Sequence, residues 1–263
     1  MNKQLLYQNK KIFYRITGTG KPVILIHGFG EEANIWNNQV EFLKNKFQLI
    51  IPDLPGTGQS EMIDDMSMEG MAEVIHSIIH KENIESGPVI GHSMGGYITL
   101  ALVEKYPELI SAFGLFHSSA FADSEEKKAT RRKGIEFIKQ HGAVEFLKTA
   151  TPNLFSPITK DERPALVTRQ VAALDNFLAA SLVSYYEAMM QRPDRTEILR
   201  KTTVPVLFIM GKYDAAVPVE DGLKQCHLPE KSYIHILHQS GHMGMLEEAD
   251  KCNSILEKFL LDI

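Results

Sequence analysis

The feature that most constrains this chain is a short run, Val23-Ile24-Leu25-Ile26, that is apolar at every position. Successive side chains of a strand point to opposite faces, so a strand with one wet face alternates apolar and polar residues. A run without alternation must be covered on both faces, as in a parallel sheet held between layers of helices. The same signature recurs at Phe47–Ile51, Pro88–Ile90, Ala112–Phe116, Val204–Met210 and Tyr233–Leu237. Between these runs, Ile35–Lys44, Met68–Lys81, Tyr97–Tyr106 and Ala249–Leu261 carry helical periodicity; in the second, Met71, Val74, Ile75, Ile78 and Ile79 share a face. Strand alternating with helix predicts an α/β fold whose central sheet is mostly parallel, with right-handed crossovers and helices on both faces. Leu5–Gln8 and Ile12–Ile16, on either side of Asn9-Lys10, predict an N-terminal hairpin.

From Phe121 to Arg200 the alternation stops. This stretch holds only helical pieces, Glu125–His141, Ala143–Thr149, Arg163–Ala173 and Asn176–Met190, punctuated by Pro152, Pro157, Pro164 and Pro193. It reads as a helical insertion over 120–196, set between core segments 1–119 and 197–263.

Composition narrows the function classes. With 44% apolar and 23% charged residues the chain has the makings of a packed core. A net charge of −5, spread along the sequence, gives no basic face for nucleic acid. Arg131-Arg132-Lys133 follows Glu125-Glu126 closely and reads as a solvated helix face. Two cysteines, Cys226 and Cys252, fit a reducing compartment, with a pairing between them left open. The first residues lack a signal-peptide pattern and no run reaches membrane-helix length, so a soluble, cytoplasmic monomer or homodimer is expected, with no membrane partner.

Two glycine-bearing loops at strand ends carry the chemistry. In Val89-Ile90-Gly91-His92-Ser93-Met94-Gly95-Gly96 a buried strand ends, a serine sits between glycines two positions away on each side, and a helix follows. Such a tight strand-to-helix turn lifts a serine hydroxyl above the sheet edge and sets it over a helix N-terminus, where developing negative charge is favoured. Ser93 is therefore the candidate nucleophile. His27-Gly28-Phe29-Gly30 follows the strand Val23–Ile26, and its glycines let the backbone approach a ligand. The backbone N–H groups of Phe29 and Met94 are the expected oxyanion donors. His27 is expected to bond within its own loop.

These landmarks, together with Asp53-Leu54-Pro55-Gly56-Thr57-Gly58-Gln59-Ser60, Gly211-Lys212-Tyr213-Asp214 and Ser240-Gly241-His242, resemble the α/β-hydrolase superfamily, in particular its capped, esterase-like serine hydrolases. The resemblance covers nearly the whole chain outside the insertion. It implies an α/β-hydrolase fold with the insertion as a cap, and a chain order of nucleophile, acid, histidine. Asp214, after the strand Val204–Met210, is then the orienting acid, and His242, after Tyr233–Leu237, the general base. Asp123 follows an earlier strand and is the rival acid; it lies at the mouth of the insertion. Glu220 and Asp221 read as first-turn helix charges, and His117, His227, His235 and His238 as structural histidines.

No cofactor is implied. His76 and His80 stand four apart but lack the glutamate of the zinc-protease pattern, so no metal site is expected. The resemblance also implies what the chemistry is not. Epoxide hydrolases and haloalkane dehalogenases of this fold carry aspartate where Ser93 stands. Tyr97 occupies the region where a menaquinone-pathway synthase of this fold has arginine, which argues against a polyanionic substrate. The expected activity is hydrolysis of a small or medium, mainly apolar carboxylic ester, with a small-molecule acyl compound as partner. Carbon–carbon or thioester hydrolysis with the same triad is the alternative, and a ligand-binding receptor on this fold is the alternative of another class.

Overall fold

Period-two packing builds the centre of the molecule. In the strand β3 (Lys21–Ile26), Val23 and Leu25 face one hydrophobic cluster and Ile24 and Ile26 the other, all buried. The same split recurs in β5 (Gly87–His92), with Ile90 on the first side and Val89 on the second, and in β7 (Val206–Gly211), with Leu207 and Ile209 against Val206 and Phe208. Each such side chain contributes roughly 1.5–3 kcal/mol by leaving water. Helices α2 (Met68–Lys81) and α3 (Met94–Lys105) cover the second face, while α1 (Asn37–Leu43) and α12 (Ala249–Asp262) cover the first.

This is a computed structural model, and it describes residues 1–174 and 176–263. Eight strands form one sheet in the order β1-β2-β4-β3-β5-β6-β7-β8, where β1 is Asn2–Tyr7, β2 Lys10–Thr17, β4 Phe47–Pro52, β6 Ile110–Phe116 and β8 Ser232–Leu237. The pairs β1–β2 and β2–β4 are antiparallel; every pair from β4 to β8 is parallel. The expected hairpin and parallel sheet are both present. Strand ends differ by one to three residues from the sequence reading: β1 begins at Asn2 where Leu5 was expected, and β7 begins at Val206 where Val204 was expected.

Five helices separate β6 from β7 before the short α9 (Thr196–Lys201): α4 (Glu125–His141), α5 (Ala143–Ala150), α6 (Pro157–Glu162), α7 (Pro164–Ala172) and α8 (Ala179–Gln191). The last begins three residues later than the periodicity of Asn176–Met190 predicts, and Leu178, its N-cap, is exposed. Position 175, inside the insertion expected over 120–196, lies outside the described residues. The short helices α6, α9, α10 (Val219–Leu223) and α11 (Gly244–Glu247) are too brief for periodicity to reveal. Helix α4 packs on α8, and Tyr185 of α8 donates its hydroxyl to the Pro55 carbonyl at 2.6 Å, tying this layer to the Asp53–Ser60 turn. Cys226 and Cys252 are both buried and unpaired. Among the described residues, no helix is long and apolar enough to cross a membrane.

Candidate active site

The turn between β5 and α3 consists of Ser93 alone, and its backbone is forced into an unusual state. Its φ of 50° and ψ of −115° lie where L-residues rarely sit, at a cost of about 1–3 kcal/mol. Three contacts hold it there: Ser93 N–H donates to the Phe116 carbonyl at 2.9 Å, and the Ser93 carbonyl accepts from Gly96 N–H at 2.9 Å and Ser118 Oγ at 2.7 Å. The flanking glycines follow from close backbone approach. A Cβ on Gly91 would lie 2.3 Å from the Gly95 carbonyl carbon, and one on Gly95 would lie 2.5 Å from the Ile26 oxygen.

The candidate acid and base come from neighbouring strands. Asp214 follows β7, His242 follows β8, and the two strands pair in parallel, so their C-terminal loops meet. Asp214 Oδ2 accepts from His242 Nδ1 at 2.8 Å; Oδ1 accepts from the N–H groups of Ala216 at 2.9 Å and Val217 at 2.8 Å. Burial alone would raise the Asp214 carboxyl, but the His242 charge and the imidazole hydrogen bonds hold it well below the carboxylate range. Burial likewise opposes the charged form of His242, and the Asp214 carboxylate outweighs it, leaving the imidazole above its ordinary value. With Nδ1 committed to Asp214, Nε2 is the nitrogen available as a base.

His117, expected as a structural histidine, donates its Nδ1–H to the same Asp214 Oδ2 at 3.1 Å. Burial pushes this imidazole below its ordinary value despite Asp214, and among the described residues its Nε2 has no hydrogen-bond partner. His117 also has positive φ, 49°, at the end of β6, as Ser93 does at the end of β5. The strand order β5-β6-β7 brings it beside Asp214, 97 residues away. No local motif carries that signal.

The loop that carries Phe29 rests on a second buried network that the sequence did not disclose. Glu31 Oε2 accepts from Gly28 N–H at 2.7 Å and meets His92 Nδ1 at 2.8 Å, and His92 Nε2 meets the His242 carbonyl at 3.0 Å. One chain of contacts thus links the Phe29 loop, the residue before Ser93 and the loop of the base. Burial opposes the Glu31 charge, yet His92 and the Gly28 N–H keep its carboxyl below the usual value. His27 bonds within its loop, Nδ1 to the Gly28 carbonyl at 2.9 Å, while Nε2 accepts from Leu54 N–H at 3.0 Å. Among the described residues, neither the Phe29 nor the Met94 N–H has a protein acceptor.

Ser93 and His242 line one cavity of about 440 Å³. Phe29, Tyr97, Leu154, Tyr186, Met189 and Val217 supply apolar surface, and the Phe29 ring stacks on Tyr186 at 4.3 Å. Lys127, Thr130 and Arg131 of α4 supply a polar wall. The reading of Arg131-Arg132-Lys133 as a uniform solvated face is therefore corrected. Arg132 and Lys133 are exposed, but Arg131 turns inward and pairs with Asp123. Asp123, the rival acid, is occupied by Arg131 and by Arg192. His76 stacks on Tyr106 at 3.9 Å. Among the described residues, the atoms of His117, Asp214 and His242 form one cluster with metal-ligand chemistry, within 4.8 Å of one another. Both imidazoles there donate to one carboxylate oxygen, which is an acid–base arrangement; a metal would have to displace those protons.

A family model described as the alpha/beta hydrolase fold matches residues 21–249. The chain belongs to the α/β-hydrolase family. It is 27% identical over 255 residues to a 2-hydroxy-6-oxo-6-(2'-aminophenyl)hexa-2,4-dienoic acid hydrolase of Metapseudomonas resinovorans, covering 94% of this chain and 86% of that one. A thermophilic esterase from Thermogutta terrifontis superposes with a TM-score of 0.92 at 26% identity, over 100% of this chain and 98% of the other. An enol-lactonase from Burkholderia xenovorans LB400 shares the fold, with a TM-score of 0.90 at 20% identity over 98% of this chain and 100% of that one. This chain is a hydrolase, and Ser93, Asp214 and His242 lie in the loops that follow β5, β7 and β8.

Proposed function

We propose that this hydrolase cleaves a small or medium, mainly apolar carboxylic ester through an acyl-enzyme, with Ser93 as nucleophile, His242 as base and Asp214 as orienting acid. The observation that carries the reading is the 2.8 Å His242–Asp214 hydrogen bond beside a cavity that both His242 and Ser93 line. His242 Nε2 takes the Ser93 hydroxyl proton as Oγ attacks the ester carbonyl. The Phe29 and Met94 N–H groups receive the oxyanion, an interaction worth several kcal/mol in comparable sites, about 2.7–4 per donor. The protonated His242 gives its proton to the departing alcohol, and a water molecule, activated by the same imidazole, frees the acid. Helices over 120–196 act as the cap that keeps bulk water from the cavity, whose apolar surface suits a hydrocarbon portion.

The test is hydrolysis of a chain-length series of chromogenic esters. Ser93→Ala and His242→Ala, each folded by circular dichroism, are expected to lose on the order of 10³-fold or more in kcat; unchanged turnover would remove both residues from the mechanism. The relative that hydrolyses a dienoic acid bearing an oxo group favours a second reading, carbon–carbon hydrolysis by the same triad. A vinylogous diketone assayed beside the esters separates them: the ester reading expects the higher kcat/KM on the ester.

A further inference from the structure

The α4 wall of the cavity contains a charge cluster that ester chemistry does not use. The buried Asp123 carboxylate accepts from Arg131 Nε at 2.5 Å and Nη2 at 3.2 Å, and it forms an ion pair with Arg192 Nη1 at 2.9 Å. Two guanidiniums on one carboxylate leave one positive charge uncompensated, in side chains 18%, 4% and 0% exposed for Arg131, Arg192 and Asp123. Arg192 is committed to the protein: it lies 3.8 Å over the Tyr97 ring and donates to the carbonyls of Met189 and Phe121. Arg131 is the member that lines the cavity with Ser93 and His242, 5.3 Å from the Tyr186 ring. Asp123 uses its Nε and Nη2, so Nη1 stays available to a ligand.

The other charges on the cavity do not cancel this one. Glu31 is held by His92 and Gly28 N–H. Glu126 is exposed, where water and salt screen it. Lys127 adds a second, weaker cation, loosely paired with Asp221 at 3.5 Å. A half-buried charge without a counter-ion is costly, and an anion of the right size relieves that cost.

We propose that Arg131 forms an anion subsite within the cavity, so that the preferred acyl substrate carries a single carboxylate on the part that reaches α4. The inference rests on the acyl-hydrolase reading above. The single uncompensated guanidinium charge suits a monocarboxylate.

The variants are built to keep the fold: Arg131→Gln leaves Asp123 paired one-to-one with Arg192, and Arg131→Lys keeps the charge without the fork. The probes are monoethyl adipate against ethyl hexanoate, with the carboxylate on the acyl side, and the acetate ester of γ-hydroxybutyrate against butyl acetate, with it on the alcohol side. Turnover of the neutral esters reads the ester assignment alone. Binding of all four to the Ser93→Ala protein by calorimetry, with and without each Arg131 change, reads the subsite whether or not any ester turns over. The expected result is a preference of about tenfold for one anionic ester, weaker at high salt. Arg131→Gln abolishes that preference, and Arg131→Lys partly restores it. Equal binding of charged and neutral partners when Arg131 is present, or a preference that survives Arg131→Gln, overturns the proposal.

Discussion

At Asp214, two imidazoles share one carboxylate oxygen, and their inequality sets how the base works. His242 stands above its ordinary value of 6.5 because Asp214 favours its cation; His117 stands below the same value because burial wins. A base must be neutral to accept a proton, so kcat/KM is expected to rise with pH through an apparent pKa above 6.5. Asp214→Asn removes the charge that raises His242, so that midpoint should fall while kcat drops by on the order of 10³–10⁴. A midpoint unmoved in the variant contradicts the role given to Asp214. His117 contacts Asp214 and is not among the residues lining the cavity. Its N–H tempers the carboxylate, so His117→Ala should move the acid limb upward by roughly half a pH unit. Asparagine offers an N–H near the same place and tolerates positive φ, so His117→Asn should bring the profile back. If alanine and asparagine behave alike, the donor is irrelevant.

At the scale of elements, the strand–turn–helix unit around Ser93 exists because three backbones meet with no side chain between them. Gly91 packs on the start of α3, and Gly95 packs on the end of β3. The clash at Gly95 is with backbone oxygens of Ile26 and His27, which have no flexible end to move aside. Gly95→Ala should therefore destabilise by at least about 1–3 kcal/mol, seen as a lower urea midpoint, and disturb Ser93 as well. A variant as stable and active as the parent would mean that the close approach is not required. This unit was legible in the sequence because its constraints are local: a buried run, glycines at fixed offsets, then a helix. Asp214 and His242 were singled out by the resemblance, whose order of nucleophile, acid and histidine points to the loops after two apolar runs. His117, Glu31 and Arg131 were not. Their partners, Asp214, His92 and Asp123, are set by strand order, loop folding and helix rotation. Arg131 sits in a charge run whose pattern alone predicts solvent, and only the direction in which α4 packs turns it inward.

Across the whole molecule, the sheet supplies rigid loop ends and the helical layer between β6 and β7 closes over them. Several buried contacts join the two. Tyr185 bonds the Pro55 carbonyl, His242 N–H donates to the Leu154 carbonyl at 2.7 Å, and Glu247 accepts from Ser156 N–H at 2.8 Å. Tyr185→Phe leaves one buried carbonyl without its donor, at a cost of about 1–3 kcal/mol. In a chain of this size that should lower Tm by roughly 2–4 °C per kcal/mol in a scan that stays a single transition. A second, earlier transition would show instead that the helical layer melts separately from the sheet. The alternation of strands and helices was readable from apolar periodicity, including the helical interruption. The contacts that seat the layer on the core were not, because they run through backbone carbonyls that leave no mark on residue type.

The central claim is that His242 activates Ser93 at the cavity. Incubation with an alkyl fluorophosphonate, followed by intact-mass and peptide mass spectrometry, tests it most directly. The account expects one phosphonyl group per chain, mapped to Ser93, absent in Ser93→Ala and slowed by orders of magnitude in His242→Ala. Labelling at another residue, or equal labelling of Ser93 when His242 is gone, would contradict it.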